Sequence, residues 1–182
     1  MRQRFLPILL LATLMGCSKS DSNPIVDFGE GEGITYRTGQ NLPAGPNDPT
    51  DWTSDGEWNK QERGLFPDLS FDFNGTQQPG IISYTTAYPN PSVEGQAVWE
   101  LQTQRGTNGT VPKLYNIQAV LVNRKYQVIE RLGPFTTYAI YHRFDYPSLG
   151  LSPNELYRIY YVVYDANGLV YKGHGDVRYT PQ

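Results

Sequence analysis

Hydrophobic and polar positions divide the chain into four stretches of different pattern. A short basic start is followed by the unbroken apolar run Phe5–Met15. Residues 18–50 show no sustained apolar periodicity and are dominated by Ser, Asp, Asn, Gly and Pro, a composition that cannot bury enough apolar surface to offset the entropy of ordering. Residues 52–66 carry the pattern of a short helix, and from residue 80 onwards the pattern changes to short β runs.

The C-terminal stretch predicts an all-β domain. Its apolar runs are separated by turn signals such as Pro89-Asn90-Pro91 and Asn167-Gly168, and the Asn-Gly pair suits the positive φ of a tight hairpin. About seven strands with turn signals roughly every 8–12 residues are typical of a β-sandwich. The predicted strands are 81–88, 97–104, 114–123, 126–132, 136–144, 156–164, 169–172 and 176–179.

The stretch before the strands predicts a short helix. Ser54 and Glu57 fit a capping box, with Ser54 as the N-cap and Glu57 at the third helical position. The helix would run from Asp55 to Arg63 and end at Gly64. Two interpretations stay open, a helix docked on the sandwich and a segment that presents exposed tryptophans to a partner. The apolar face of this segment would consist of Trp52, Trp58, Leu65 and Phe66.

The N-terminus resembles the signal peptide of bacterial lipoproteins. The apolar run is shorter than the roughly 20 residues that span a bilayer, so it is an h-region that is removed from the mature chain. It ends in Leu14-Met15-Gly16-Cys17, which resembles a lipobox. The resemblance implies cleavage between Gly16 and Cys17 and lipid attachment to Cys17. A plain secretory signal with an incidental cysteine is the alternative.

The residues after Cys17 bear on localisation. Ser18 rather than Asp follows the cysteine, which by the common bacterial sorting rule implies the outer membrane. Ser18–Asn23 also resembles the segment after the lipidated cysteine in Bacteroidota lipoproteins, some of which face the cell surface. A periplasmic and a surface-facing orientation both stay open. The predicted organisation is a signal peptide (1–16), a lipidated cysteine with a flexible spacer (17–50), a helix with a connecting segment (51–79) and a β-sandwich (80–182).

Two further resemblances concern the β domain. Leu151–Tyr157 resembles the Leu-x-Pro-x-x-x-Tyr segment of fibronectin type III domains, which implies that the Tyr157 hydroxyl ties back to the preceding loop. Trp99 would then be buried between the sheets. Residues 87–91 and 164–170 resemble parts of the C-terminal sorting domains of type IX secretion, which are also immunoglobulin-like. The residues that would face the core of the sixth strand are Tyr157, Ile159, Tyr161 and Val163.

Composition and charge narrow the function. Removal of residues 1–16 takes away two arginines and changes the formal net charge from −3 to −5, and no basic stripe for nucleic acid is left. Because Cys17 is the only cysteine, the chain has neither an internal disulfide nor a thiolate metal site. His142 and His174 are the only histidines, and no Gly-x-Ser-x-Gly or phosphate-binding loop accompanies them.

Metal binding is also not favoured. His174 and Asp176 are only two ligands, whereas a zinc site takes at least three. The glycines beside His174 predict a bulge or turn at the surface. Four acidic residues lie between positions 48 and 57, but they lack the spacing of a known calcium loop. The sequence therefore predicts no metal, no cofactor and no catalysis. These acidic residues are Asp48, Asp51, Asp55 and Glu57.

A tyrosine-rich sheet face is the remaining candidate for a binding site. If the sixth and last strands share a sheet, four outward side chains would form this surface. Tyrosine faces stack on sugar rings and also suit protein contacts, whereas cross-strand tyrosine pairs that only stabilise the sheet are the simpler interpretation. The prediction is a non-catalytic envelope lipoprotein that binds another envelope protein, with glycan binding and a type IX sorting domain as alternatives. The four residues are Arg158, Tyr160, Tyr164 and Tyr171.

Overall fold

The computed structural model describes residues 24–29, 31–78, 80–104 and 111–182. The predicted signal peptide, with Gly16 and Cys17, lies outside the described residues. The elements are one short helix and seven strands: α1 (Lys60–Gly64), β1 (Ile82–Tyr88), β2 (Gln96–Thr103), β3 (Tyr115–Asn123), β4 (Val128–Thr137), β5 (Ala139–Asp145), β6 (Leu156–Asp165) and β7 (Gly168–Arg178).

The strands form two antiparallel sheets that pack face to face. One sheet has the order β1-β2-β5 and the other the order β4-β3-β6-β7. The all-β sandwich predicted from the sequence is therefore confirmed, and the sixth and last strands do share a sheet with the strand at 115–123. Within the described residues, α1 is the only α-helix.

The inner core forms as strand alternation predicts. Every second residue of β6 from Tyr157 to Val163 is buried between the sheets. Trp99 of β2 is fully buried, and its ring centroid lies 5.9 Å from that of Tyr161 across the core. The backbone N–H of Ser152 donates to the Tyr157 hydroxyl at 2.7 Å, which is the tie expected for a tyrosine corner.

A second core lies on the outer face of the four-stranded sheet. It is covered by the described residues between 24 and 78, which we call the N-terminal cover. Trp58 occupies its centre, with ring centroids 5.6 Å from both Phe66 and Tyr160 and 5.8 Å from Phe73. The helix segment therefore docks on the sandwich. The buried members of this cluster are Val26, Phe28, Trp58, Leu65, Phe66, Phe73, Val120, Val122, Tyr160 and Val162.

The helix begins later than the sequence predicts. Its N-cap is Asn59, whose side chain accepts from the backbone N–H of Glu62 while the Glu62 carboxylate accepts from the N–H of Asn59. The predicted cap at Ser54 is wrong because Ser54 forms a β-bridge with Gly173 and the Asp55 N–H donates to the Lys172 carbonyl. The chain before Asn59 thus runs along β7 instead of turning into a helix.

The segment predicted as a spacer is packed on the sandwich wherever it is described. The Val26 N–H donates to the Arg124 carbonyl at 2.7 Å, and Val26 and Ile34 are buried. Arg37 exchanges two backbone hydrogen bonds with Asn90, the residue between two prolines in the β1–β2 connection. The prediction of a spacer that extends to residue 50 is therefore wrong. Apolar side chains in this segment pack on the sandwich although their spacing shows no periodicity.

The last two predicted strands are one continuous strand, β7. Gly173 and Gly175 pair with Tyr161 and Ile159 of β6 instead of forming a turn. A Cβ at Gly173 would collide with the Thr53 carbonyl, and one at Gly175 would collide with the Trp52 ring. These glycines therefore allow the cover to approach the strand closely. Glycine within a strand often marks such a close approach and does not always indicate a turn.

A buried polar network connects the cover to the same sheet. The Arg158 guanidinium binds the Asp176 carboxylate in a bidentate pair, with both N–O distances at 2.7 Å. Asp51 of the cover accepts the backbone N–H groups of Thr35 and Asp176, each at 2.7 Å. Burial first, and then the Asp176 carboxylate, raise the pKa of Asp51 to about 7. Burial also raises the pKa of Asp176.

We expect the free energy of unfolding to decrease as the pH rises from about 4 to about 7. A carboxyl group whose pKa is higher in the folded than in the unfolded state contributes fully below the unfolded pKa, and its contribution is lost as the pH rises through the folded pKa. At about 1.4 kcal/mol per unit, the loss from Asp51 is at most about 4 kcal/mol. Urea denaturation at a pH of about 5 and of about 8 measures it.

The variant Asp51→Asn is the control for this measurement, because it removes the titrating group while it keeps an oxygen that can accept one of the two N–H groups. Its free energy of unfolding is expected to be lower at both pH values and to depend less on pH. An unaltered chain that is equally stable or more stable at the higher pH would contradict the expected sign.

Candidate functional site

The surface predicted from the sequence is not exposed. Arg158, Tyr160 and Tyr171 are 6%, 0% and 8% exposed, and Tyr164 is half-buried with its ring centroid 5.4 Å from that of Phe71. The prediction of an exposed binding surface at these four residues is wrong. The N-terminal cover packs on the side of the sheet that carries Arg158, Tyr160 and Tyr164, so the two tyrosines belong to the second core and Arg158 to the buried ion pair. Tyr171 belongs instead to the inner core, where its ring stacks on that of Tyr161 with centroids 6.1 Å apart.

The two histidines have structural partners. His174 lies in the middle of β7 and not in a turn, and its Nδ1 is 2.5 Å from the Asp55 carboxylate. The same carboxylate accepts the indole N–H of Trp58 at 2.6 Å. His142 of β5 faces Glu130 of β4 at 3.5 Å across the edge of the sandwich. In the part of the chain that the structure describes, no three His, Cys, Asp or Glu residues are grouped as metal ligands would be.

The described residues do not cover the outer face of the three-stranded sheet in this way. We call it the tyrosine face, because tyrosines from both edge strands flank its centre. The central row pairs Thr86 of β1 with Glu100 of β2 and Glu100 with Tyr141 of β5. The Tyr141 side chain is exposed, at 60%. The residues of this face are Tyr84, Thr86, Tyr88, Val98, Glu100, Gln102, Tyr141 and Arg143.

Hydrogen bonds hold the polar groups of the tyrosine face in place. The Gln102 amide donates to the Glu100 carboxylate at 2.5 Å and to the Tyr141 hydroxyl at 2.8 Å. The Tyr88 hydroxyl donates to Glu100 from the other side, and burial followed by the charge of Glu100 raises the pKa of Tyr88. Glu100 itself is buried although it points outward, since the tyrosine side chains enclose it. The face is therefore ordered before any ligand arrives.

A groove crosses one end of the tyrosine face. It has a volume of about 460 Å³ and is floored by Tyr88, Val98 and Arg143. One wall is the loop at Gly39 and Gln40, which the Tyr84 hydroxyl anchors through a 3.0 Å hydrogen bond to Asn41. The opposite wall is the β1–β2 connection at 93–94. The N-terminal cover thus contributes to this site and also covers the outer face of the four-stranded sheet.

Sequence reasoning missed the tyrosine face, although alternation could have placed its residues outward. In β1, Tyr84 and Tyr88 each lie two positions from Thr86. In β5, Tyr141 and Arg143 lie two positions apart. Residues two apart in a strand lie on the same side. The missing information was which of the two outer faces is covered, because that depends on the non-periodic residues before position 80.

Searches with the whole chain give no named relative. No family model matches it, and neither a curated protein nor a solved structure is significantly similar to it. In the described ranges, no helix is long and apolar enough to cross a membrane. The resemblances to lipoproteins, to fibronectin type III domains and to type IX sorting domains therefore stay predictions, and the site is interpreted from its own chemistry.

Proposed function

We propose that this chain is a lipid-anchored protein of the cell envelope, without catalytic activity, that binds another envelope protein through the tyrosine face. The observation that carries this proposal is the exposed Tyr141 side chain, held in place by Gln102 and the buried Glu100, on a sheet face that the described chain leaves uncovered. The lipid anchor rests on the lipobox-like sequence around Cys17, and the outer membrane is the proposed location.

The composition of the face favours a protein partner. Tyrosine and arginine are enriched among the residues that dominate the energy of protein interfaces, where large rigid side chains bury area at a small entropic cost. Tyr141 is already held by Gln102, and Arg143 is held by a hydrogen bond to Gln96 on the neighbouring strand. Less side-chain freedom is therefore lost when a partner binds.

Site-specific photocrosslinking tests this function. We expect a photoreactive benzoylphenylalanine at position 141 to give one dominant crosslinked product in intact cells, because the Tyr141 side chain is 60% exposed on the proposed interface. The variant Tyr141→Ala combined with Arg143→Ala should lose the same partner in a pull-down from detergent-solubilised envelopes. Crosslinked products are detected by immunoblot and identified by mass spectrometry.

A photoreactive residue at Val111 is the matched control, since that side chain is 88% exposed and is not one of the residues of the tyrosine face. It should give no dominant product. If positions 141 and 111 crosslink to the same set of proteins at the same yield, the tyrosine face is not the interface.

The groove supports a glycan as the second candidate ligand. Tyr88 offers an aromatic ring, and the carboxylate of Glu94 and the amide of Gln40 line the same groove, where they can accept hydrogen bonds from sugar hydroxyls and donate hydrogen bonds to them. Affinity electrophoresis with cell-envelope polysaccharides distinguishes the two. Retardation that is lost in Tyr88→Ala, together with no protein crosslink from position 141, would favour the glycan.

The variant Cys17→Ala tests the anchor. We expect it to fold like the unaltered chain but to appear entirely in the soluble fraction of the envelope, because two or three acyl chains at about 0.8 kcal/mol per buried methylene are what hold a lipoprotein. Fractionation and metabolic labelling with a fatty acid measure both effects. An acylated, membrane-bound Cys17→Ala product would contradict the proposed anchor.

A further inference from the structure

The described part of the chain begins at one end of the sandwich. The Val26 backbone is bound to Arg124 in the β3–β4 turn, and Val26 is fully buried. The preceding Ile25 is 57% exposed and lines an open cavity at this end together with Arg124, Lys125 and Ser152. The chain is thus fixed to the sandwich immediately after Pro24.

The number of residues between Cys17 and Pro24 limits how far this end can stand from a lipid on Cys17. Seven residue steps span at most about 25 Å even when fully extended, whereas a spacer that reached residue 50 would have allowed more than about 100 Å. The paired residues Asn123–Tyr157 and Asn116–Tyr164 of β3 and β6 are seven steps apart, so the sandwich extends a further distance of about 23 Å from this end.

We propose that this end of the sandwich faces the membrane and that Arg124 and Lys125 contact the phosphate groups of its lipids. This inference rests on the proposed lipid anchor. Both side chains are exposed, and the turn that carries them is fixed because the Asn123 side chain accepts the backbone N–H groups of Lys125 and Gln127 at 2.9 and 3.1 Å. Glu155 lines the same cavity, so the contact has two cations and one carboxylate.

The arrangement orients the rest of the molecule. The β6–β7 turn, with Asp165 to Gly168, lies at the far end of the ladder from the β3–β4 turn. The strands of both sheets then run away from the lipid, and the tyrosine face stands beside the membrane instead of lying flat on it. A protein partner would therefore approach from the side, within the envelope.

Labelling at two serines tests the orientation in the full lipidated chain. Because Cys17 carries the lipid, Ser152→Cys or Ser70→Cys would supply the only free thiol, and both serines are exposed at opposite ends of the sandwich. The protein is placed in vesicles of phosphatidylethanolamine and phosphatidylglycerol that carry a headgroup quencher. We expect a fluorophore at 152 to lose most of its emission and one at 70 to lose little.

A charge variant tests the headgroup contact separately. Arg124→Gln with Lys125→Gln should reduce the quenching at 152 towards the value at 70, whereas Lys113→Gln, which removes a charge beside Asp165 at the far end of the ladder, should leave it unchanged. Circular dichroism confirms that both variants fold.

Each other outcome overturns a definite part of the proposal. Equal quenching at both positions in vesicle-bound protein overturns the orientation. If the orientation persists in the Arg124/Lys125 variant, the headgroup contact is overturned. The short distance between the lipid on Cys17 and Pro24 is then the cause of the orientation. Protein that does not float with the vesicles overturns the lipid anchor itself, and with it the orientation that depends on the anchor.

Discussion

Replacing Trp58 by alanine is expected to lower the free energy of unfolding by about 3–5 kcal/mol, the range for a large buried aromatic side chain. Trp58 is 2% exposed and contacts Phe66, Phe73 and Tyr160, so its removal leaves a cavity that the surrounding rings cannot fill without moving. It also leaves the Asp55 carboxylate without the indole N–H that now binds it. Chemical denaturation followed by circular dichroism measures the loss.

Two comparisons make this result specific. Trp58→Phe keeps an aromatic ring and should cost less than the alanine variant, although it still loses the bond to Asp55. Val111→Ala, at a side chain that is 88% exposed, should change the free energy by no more than about 0.5 kcal/mol. A loss below about 1 kcal/mol for Trp58→Ala would mean that the N-terminal cover contributes little to the stability of the fold.

Replacing Arg158 by methionine is expected to lower the free energy of unfolding by about 3–5 kcal/mol, because it leaves a buried carboxylate unpaired. Asp176 is 2% exposed, and its two oxygens both accept from Arg158. The Arg158 guanidinium also lies 5.1 Å from the centroid of the Phe28 ring, so the cover loses a contact at the same time. The long apolar side chain of methionine fills most of the vacated volume, which isolates the effect of the charge.

A double-mutant cycle separates the ion pair from these other contacts. Arg158→Met with Asp176→Leu removes both charges and should lose less stability than the sum of the two single variants, since neither charge is then buried alone. Additive losses would show that the two side chains contribute independently. The exposed pair Lys113–Asp165 offers a comparison, because exposed salt bridges contribute only about 0–1 kcal/mol.

The inner core of the sandwich follows from local alternation, and for that reason it could be predicted. Tyr157, Ile159, Tyr161 and Val163 occupy alternate positions and point to one side of β6, as the pleat requires. The outer face could not be assigned in the same way, because its burial depends on residues about a hundred positions earlier in the chain. One local signal did exist: β6 has an unbroken apolar run through Tyr160 and Val162, which is the mark of a strand covered on both sides.

Apart from the helix pattern at residues 52–66, the N-terminal cover has no periodic signal. Its other buried side chains, among them Phe28, Ile34 and Phe73, lie in stretches rich in Gly, Pro, Asp and Asn, which up to residue 50 predict a spacer. Such a segment becomes ordered only because the sheet beneath it supplies the apolar surface and the hydrogen-bond partners. The tyrosine face was missed for the same reason, since the exposed face of a sandwich is known only once its covered face is known.

The N-terminal cover also affects the order in which contacts form during folding. Its contacts connect residues far apart in the sequence: Glu62 with Tyr160, Asp55 with His174 and Asp51 with Asp176 are separated by 98, 119 and 125 positions. Contacts of such separation form late, because closing a long loop precedes any gain from it. We therefore expect the aromatic residues of the N-terminal cover, although they come early in the sequence, to be the last to be buried. Until β7 has been made and paired, Trp58 and its neighbours have no sheet to cover and stay accessible to chaperones.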